Sequence, residues 1–331
     1  MPSPTLVASA VGIDLGGTKI NARVVDPADL STPVAAGRVA TPTGGSAIVA
    51  AIEQALDEVT AQLEPLGRRV GSVGLGAAGL VDDDGIMRFA PNLPGVLDFP
   101  FRSELERRLG VPVAVTNDAT AATLAEQRLG AGRGSADLLM VSLGTGIGAG
   151  FVSGGVLQVG AHGFGGEAGH MVVDPTGPRC PCGRRGCWER FASGSGLGRL
   201  AREAVEAGQA AAVVELAGGD PAAVRGEHVG LAAAAGDGDA REVLRAFAWW
   251  VALGIANLVN VLDCEVVVVG GGLVDLGDLL LEPVRNAFDE LVLAARHRPS
   301  VRIVAATLGS DAAAVGAWLL ADDLLAVGRR G

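Results

Sequence analysis

Residues 138–158 read LLMVSLGTGIGAGFVSGGVLQ, and residues 11–26 read VGIDLGGTKINARVVD. Each stretch passes from an apolar strand through a glycine-rich turn into a second strand. The pattern occurs once in each half of the chain, which marks an internal duplication of two related α/β halves.

Between and after these copies, helical and extended patterns alternate. Ala47 to about Leu66 has apolar residues at helical spacing, and VGSVGLGAAG (70–79) reads as a buried strand running into a loop. SELERRLG (103–110) gives a helix, VPVAVTND (111–118) a strand, and ATAATLAEQRLGAG (119–132) a helix stopped by Gly130. This alternation implies a parallel component in the sheet. From about Gly196 the chain is mostly helical and alanine-rich, ending in the apolar run AFAWWVALGIANLVNVL (246–262). EVVVVGGGLV (265–274) then reads as a β-branched strand ending in glycines, and residues 301–321 as a strand, a loop and a final helix. No low-complexity linker interrupts the pattern, so domain boundaries fall between compact elements, near Asp118 and Gly309. The expected division is a small α/β domain of residues 1–118 plus 311–331 and a larger one of residues 119–310 that carries the cysteine cluster.

The bulk composition agrees with a globular chain of about two domains at 331 residues. Hydrophobic residues at 49% against charged residues at 19% exclude an acidic disordered chain. A net charge of −11 with no basic patch argues against a nucleic-acid partner. No uninterrupted apolar run reaches the ~18–20 residues that span a bilayer, so no membrane role is expected. The start MPSPTLVASA lacks the basic residues of a signal peptide. Four cysteines, three of them clustered, fit a reducing compartment, and a cytoplasmic location is expected. Lys19 is the only lysine among 26 basic residues. Its ammonium is a compact point charge that a guanidinium fork does not imitate.

Five motifs carry candidate chemistry. Asp14-Leu15-Gly16-Gly17-Thr18-Lys19 offers backbone N–H groups, a hydroxyl and a charge to a phosphate, although a glycine hairpin turn has the same pattern. Leu143-Gly144-Thr145-Gly146-Ile147-Gly148 repeats the arrangement, and the two loops together would form a phosphate clamp across a cleft. The glycines at 270–272 let a flat ligand lie near backbone, or let a helix pack closely. Asn117 and Asp118 end a strand, where ligands bind in α/β sheets and an Asp can take a proton from a hydroxyl. An Asp immediately before an alanine-rich helix is also a standard N-cap, and the residues alone favour that role for Asp118. Finally, GEAGH (166–170) precedes CPCGRRGCWE (180–189). Cys180, Cys182, Cys187 and His170 make a complete tetrahedral zinc set, closed and hence structural rather than catalytic. A redox pair would need Cys-x-x-Cys, which is missing. Cys264 enters a β-branched strand as a small buried hydrophobe.

These motifs, in this order and spacing, resemble the ROK family (repressors, open reading frames and sugar kinases) of the actin-like ATPase and hexokinase superfamily. The likeness runs from Gly12 to about Trp318. It implies a two-domain actin-like ATPase (ribonuclease H-like) α/β fold with the active site in the interdomain cleft, a sugar in that cleft, and ATP with Mg²⁺ between the glycine loops. Carried over residue by residue, it makes Asp118 the catalytic base, and Asn92, Asn117, Glu167, His170 and Glu189 the sugar ligands. Gly16, Gly17, Thr18, Lys19, Gly144, Thr145 and Gly146 become the phosphate motifs and Gly271 the adenosine motif. Asp14 then lies near the metal, through water, and His170 turns one ring nitrogen to zinc and the other to the sugar. PNLPG (91–95) and the full CxCGxxGCxE motif resemble the family's bacterial glucokinases most, which makes glucose and ATP the expected substrates. Another hexose or N-acetylhexosamine, such as fructose or N-acetylmannosamine, is the alternative acceptor. A sugar-responsive repressor is the alternative of another class, but such members carry a helix-turn-helix ahead of the body, and here Asp14 follows only 13 residues. Family members are usually dimers or tetramers.

Overall fold

In the N-terminal half, β1 (Val7–Leu15), β2 (Lys19–Val24), β3 (Ala35–Ala40), β4 (Arg68–Ala77) and β8 (Val113–Asn117) form one five-stranded sheet in the order β3-β2-β1-β4-β8. In the C-terminal half, β9 (Leu138–Leu143), β10 (Ile147–Ser153), β11 (Val156–Gln158), β12 (Val266–Gly270) and β13 (Arg302–Ala305) form a second in the order β11-β10-β9-β12-β13. The two orders are one topology repeated. In each, the central strand pairs antiparallel with the next strand through the glycine turn and parallel with a later strand on its other side. The duplication read from the two glycine motifs is therefore a duplication of the whole sheet. This computed structural model describes residues 6–328; Met1–Thr5 and Arg329–Gly331, the outer ends of the expected small domain, lie outside the described residues.

A small third sheet of β5 (Leu80–Val81), β6 (Ile86–Phe89) and β7 (Leu97–Pro100) rises from the N-terminal half and carries the Asn92 loop. The sequence pattern did not reveal it, because its strands are too short to show periodicity.

The helices fill the faces. In the N-terminal half α1 (Gly45–Leu63) and α2 (Phe101–Leu109) cover one face, with Ile48, Ile52 and Val59 packed into a core with Ile13 and Leu75. The expected helix to Leu66 ends three residues earlier, where Pro65 falls in a 3-10 turn closed by left-handed Gly67. α3 (Asp118–Arg128) runs from the first sheet into the second. The helices α4 (Glu189–Ala192), α5 (Gly194–Glu206), α6 (Ala211–Leu216), α7 (Gly226–Ala234), α8 (Gly238–Leu262) and α9 (Asp278–Leu291) belong to the C-terminal half. The last, α10 (Ala312–Gly328), returns to pack on β1, β4 and α3.

β12 shows why its sequence is an unbroken valine run. Val267 and Val269 point into the core under α8 and α9, while Val266 and Val268 point into a second core on the opposite face. α8 begins at Asp237, whose carboxylate accepts from the Ala240 N–H at 2.8 Å. An 18-residue window of this helix has a mean hydropathy of 1.4, and 56% of that window is buried inside the fold. Phe247, Val251, Ile255 and Val259 are fully buried there, so its apolar character is spent on the core.

Candidate active site

The two sheets face each other across a cavity of about 780 Å³. Its walls come from the carboxyl ends of the strands and the turns that follow them, where an α/β sheet leaves side chains and backbone unpaired. Asp14, Asn92, Asn117 and Asp118 line it from the N-terminal half. Gly144, Thr145, Gly146, Glu167, His170, Glu189 and Gly271 line it from the C-terminal half.

Asp118 opens α3, but it does not cap that helix. Asn117 does, its Oδ1 accepting from the N–H groups of Ala119 at 2.8 Å and Thr120 at 3.2 Å. The Asn117 Nδ2 donates to the Gly79 carbonyl at 3.0 Å. Asn117 thus spends most of its side chain on fixing the strand-to-helix corner. Relieved of capping, Asp118 bends one oxygen to its neighbour's N–H, Ala119, at 2.9 Å and turns the carboxylate to the cavity. Burial pushes its carboxyl above the usual range. The other carboxylates respond to the same enclosure. Asp14 is pushed up to about 6, first by burial and then by the charge of Asp118, against a weak 3.5 Å hydrogen bond from Asn21 Nδ2. Glu167 is raised by burial, partly offset by His170.

The Gly144–Gly146 turn is held from behind. Gly144 N–H donates to the Gly146 carbonyl at 3.0 Å, the Gly194 N–H donates to the Gly144 carbonyl at 2.8 Å, and the Ser195 hydroxyl donates to the Thr145 carbonyl at 3.2 Å. The start of α5 therefore fixes the turn and leaves Thr145 exposed to the cavity. A side chain at Gly146 would place its Cβ 2.7 Å from Glu189 Oε2, so the glycine is what lets this carboxylate reach the turn. Gly271 has φ 81°, and a Cβ there would stand 2.5 Å from the Leu143 carbonyl, so only glycine lets the end of β12 close on the same turn.

The cysteine cluster stands beside Glu167 and Glu189. Ligand atoms of His170, Cys180, Cys182 and Cys187 all lie within 4.8 Å of one another. Cys182 Sγ to Cys187 Sγ is 3.5 Å, and Cys180 Sγ to His170 Nδ1 is 3.8 Å. Zn–S bonds of ~2.3 Å and Zn–N bonds of ~2.0 Å in a tetrahedron put ligand atoms about 3.5–3.8 Å apart, so this donor set fits zinc. His170 turns Nδ1 to the thiols and brings Nε2 to 3.9 Å from Glu167 Oε2 on the cavity side. The Cys180 thiol donates to Glu189 Oε1 at 3.2 Å, tying the cluster to the cavity wall. Cys264 is buried elsewhere, in the core beneath α8 and α9.

The segment Gly16–Lys19 is not brought into the cavity wall. It forms the turn between β1 and β2, closed by a 3.0 Å bond from the Gly16 N–H to the Lys19 carbonyl. Gly17 lies against the Asn92 backbone, and Thr18 and Lys19 are exposed. The charge of Lys19 still acts on Asp14, drawing its pKa down. Sequence reasoning missed Gly79, which orients Asn117, and Ser310, which lines the cavity at the base of α10. Neither had a signal, since a backbone carbonyl carries none and a serine before a helix reads as a cap.

A family model described as the ROK family matches residues 10–324. A glucokinase of Streptomyces coelicolor is 39% identical over 314 residues, covering 94% of this chain and 96% of the relative. An N-acetylmannosamine kinase of Salmonella arizonae is 35% identical over 314 residues, covering 95% and 98%. Among solved structures, a ROK family glucokinase from Streptomyces griseus in complex with glucose and AMPPNP superposes with a TM-score of 0.82 at 39% identity, covering 96% of this chain and 100% of that one.

Proposed function

The chain belongs to the ROK family, and we propose that it is a phosphotransferase that moves the γ-phosphoryl group of ATP to glucose, giving glucose 6-phosphate and ADP. The observation that carries this reading is the placement of one enclosed carboxylate, Asp118. It lines one cavity together with the polar side chains of Asn92, Glu167, His170 and Glu189 and the glycine turns at 144–146 and 271.

In phosphoryl transfer little covalent work is left to the protein; position and charge decide the rate. Asn92, Asn117, Glu167, His170 and Glu189 would hold the sugar hydroxyls. Asp118 accepts the proton of the attacking hydroxyl as its oxygen bonds to the γ-phosphorus, and the bond from that phosphorus to the β–γ bridging oxygen breaks to release ADP. A carboxyl raised by burial suits this task, because its carboxylate is a stronger base toward the hydroxyl proton than one in open solvent. Gly144, Thr145 and Gly146 would offer N–H and hydroxyl donors to the phosphates and Gly271 a flat approach for the adenosine, with Gly16, Gly17, Thr18 and Lys19 on the outer rim. Mg²⁺ bound with ATP would neutralise phosphate charge, and Asp14, an enclosed carboxylate on the cavity wall, is the residue that would hold it through water. His170, Cys180, Cys182 and Cys187 would hold a structural zinc whose service is to fix His170 directly, and Glu189 two residues after Cys187, toward the sugar. The bodies that close on the sugar are residues 1–118 with 311–331 and residues 119–310, and closure keeps water from the γ-phosphate. The reaction belongs in the cytoplasm, where ATP is present and thiolates stay reduced.

The test is ADP release measured over a panel of glucose, fructose, mannose, N-acetylmannosamine and N-acetylglucosamine with ATP, and sugar-phosphate formation over the same panel with polyphosphate as donor. The reading requires glucose with ATP to give the highest kcat/KM. Preference for N-acetylmannosamine would move the chain to its other relatives' substrate, and no ADP release with any sugar would overturn the kinase reading.

A further inference from the structure

Among the described residues only one charged side chain is fully buried: Glu126, at 0% exposure on the last turn of α3. Glu126 Oε1 accepts from the N–H groups of Thr307 at 2.9 Å and Leu308 at 2.8 Å. Oε2 accepts from the Ala131 N–H at 2.8 Å and the Thr307 hydroxyl at 3.3 Å. No arginine or lysine takes part in this shell. A carboxylate buried without a cation is costly to desolvate, and four well-placed donors are what make it tolerable. An apolar side chain would pack the same volume without that cost. What the carboxylate adds is a fixed position for the two segments that supply the donors.

Those segments are the two places where the chain passes between the sheets. Ala131 follows α3, which leads from β8 to β9; Thr307 and Leu308 lie between β13 and α10. The flanking residues Ala306, Gly309 and Ser310 line the cavity, and Asp118 starts the helix on which Glu126 sits about two turns later. The crossings touch again where Gly316 of α10 meets the Ala121 carbonyl of α3, so closely that a Cβ would come within 1.8 Å of it. One end of α3 thus presents the carboxylate of Asp118, and the other end pins the loop whose residues Ala306, Gly309 and Ser310 line the same cavity.

We propose that Glu126 is a positioning residue for phosphoryl transfer: its buried carboxylate pins the 306–310 loop, on the nucleotide side of the cleft, to the helix that presents Asp118. The inference rests on the kinase reading above. Glu126→Gln tests it, since the amide keeps size but sets an NH2 against the Ala131 N–H. Loss of charge-assisted bonds at the pin should raise the Kd for AMPPNP and the KM for ATP about tenfold and lower kcat, with the glucose Kd unchanged. Amide hydrogen exchange in residues 304–311 should accelerate while that of the β9 and β12 strands stays as in the wild type. Glu126→Asp keeps the charge but is one methylene too short, and is expected not to rescue. Thr307→Val, at an exposed residue, removes only the hydroxyl donor and should raise the KM for ATP about twofold, which decides the matter if Glu126→Gln does not fold. A Glu126→Gln protein with wild-type AMPPNP affinity and wild-type exchange at 304–311, or an unchanged KM in Thr307→Val where Glu126→Gln is unfolded, overturns the proposal. AMPPNP titration and exchange need no turnover, so they report on the pin even if no sugar is phosphorylated, an outcome that would instead strike the kinase reading.

Discussion

Replacing Asp14 with asparagine should stabilise the metal-free protein and disable it at once. The Asp14 carboxyl stands at about 6 rather than 3.8, through burial and the neighbouring charge of Asp118. A carboxyl whose folded pKa is raised binds its proton more tightly in the folded state. Between about pH 4 and pH 6 that proton stabilises the fold, and the stabilisation is lost as pH rises through the window. At neutral pH the ionised carboxylate then costs the folded protein about 3 kcal/mol, at ~1.4 kcal/mol per pKa unit. Asparagine has nearly the same shape, keeps an oxygen for the Asn21 amide and carries no charge. Thermal melts in buffer with chelator and no nucleotide should show Asp14→Asn more stable than the wild type at pH 7.5. The difference should shrink toward pH 4. The same substitution removes a group held for the metal and should lower kcat/KM for ATP roughly 10- to 100-fold. An Asp14→Asn protein that melts below the wild type at pH 7.5, or one with normal activity, would refute the reasoning, the first on the electrostatics and the second on the role.

Other substitutions probe neighbouring contacts. Gly146→Ala places a Cβ 2.7 Å from Glu189 Oε2 and should raise the KM for glucose about tenfold by displacing that carboxylate, as seen in steady-state kinetics. Cys182→Ala should reduce bound zinc, measured by elemental analysis, and raise the glucose KM; a protein that never held zinc would remove the basis for this prediction. Gly316→Ala drives a Cβ into the Ala121 carbonyl where α3 and α10 cross, and should lower stability by about 1–3 kcal/mol in denaturant unfolding. The pH profile of kcat/KM should show an acid limb of unit slope set above pH 3.8, because Asp118 must be ionised to act and burial raises its carboxyl.

The parts of this molecule that the sequence disclosed are those where one backbone demand leaves only one residue type. The glycine turns at 16–17 and 144–146, the valine run of β12 and the cysteine spacing each have such a demand behind them, and each proved to sit at a structural corner. The repeated strand-turn-strand motif gave away the repeated sheet because hairpin pairing is local. Less was legible where partners lie far apart in the chain. Asn117 rather than Asp118 caps α3, a choice made by the Gly79 carbonyl 38 residues earlier, which no local pattern encodes. The Gly16–Lys19 turn looks in sequence like the twin of 144–146, yet it packs on the Asn92 loop and stands outside the cavity wall. Glu126 shows nothing in sequence but an acid in an alanine-rich helix, because its donors come from residues 131 and 307–308.

The most direct test is glucose-dependent ADP production by Asp118→Asn beside the wild type, with the glucose affinity of each measured by calorimetry. The variant keeps an oxygen for the Ala119 N–H and loses the proton acceptor. If Asp118 takes the proton, kcat falls by about 10²- to 10⁴-fold while the glucose Kd stays within about threefold. A variant that turns glucose over within about tenfold of the wild type would contradict the assignment of the base and the mechanism built on it.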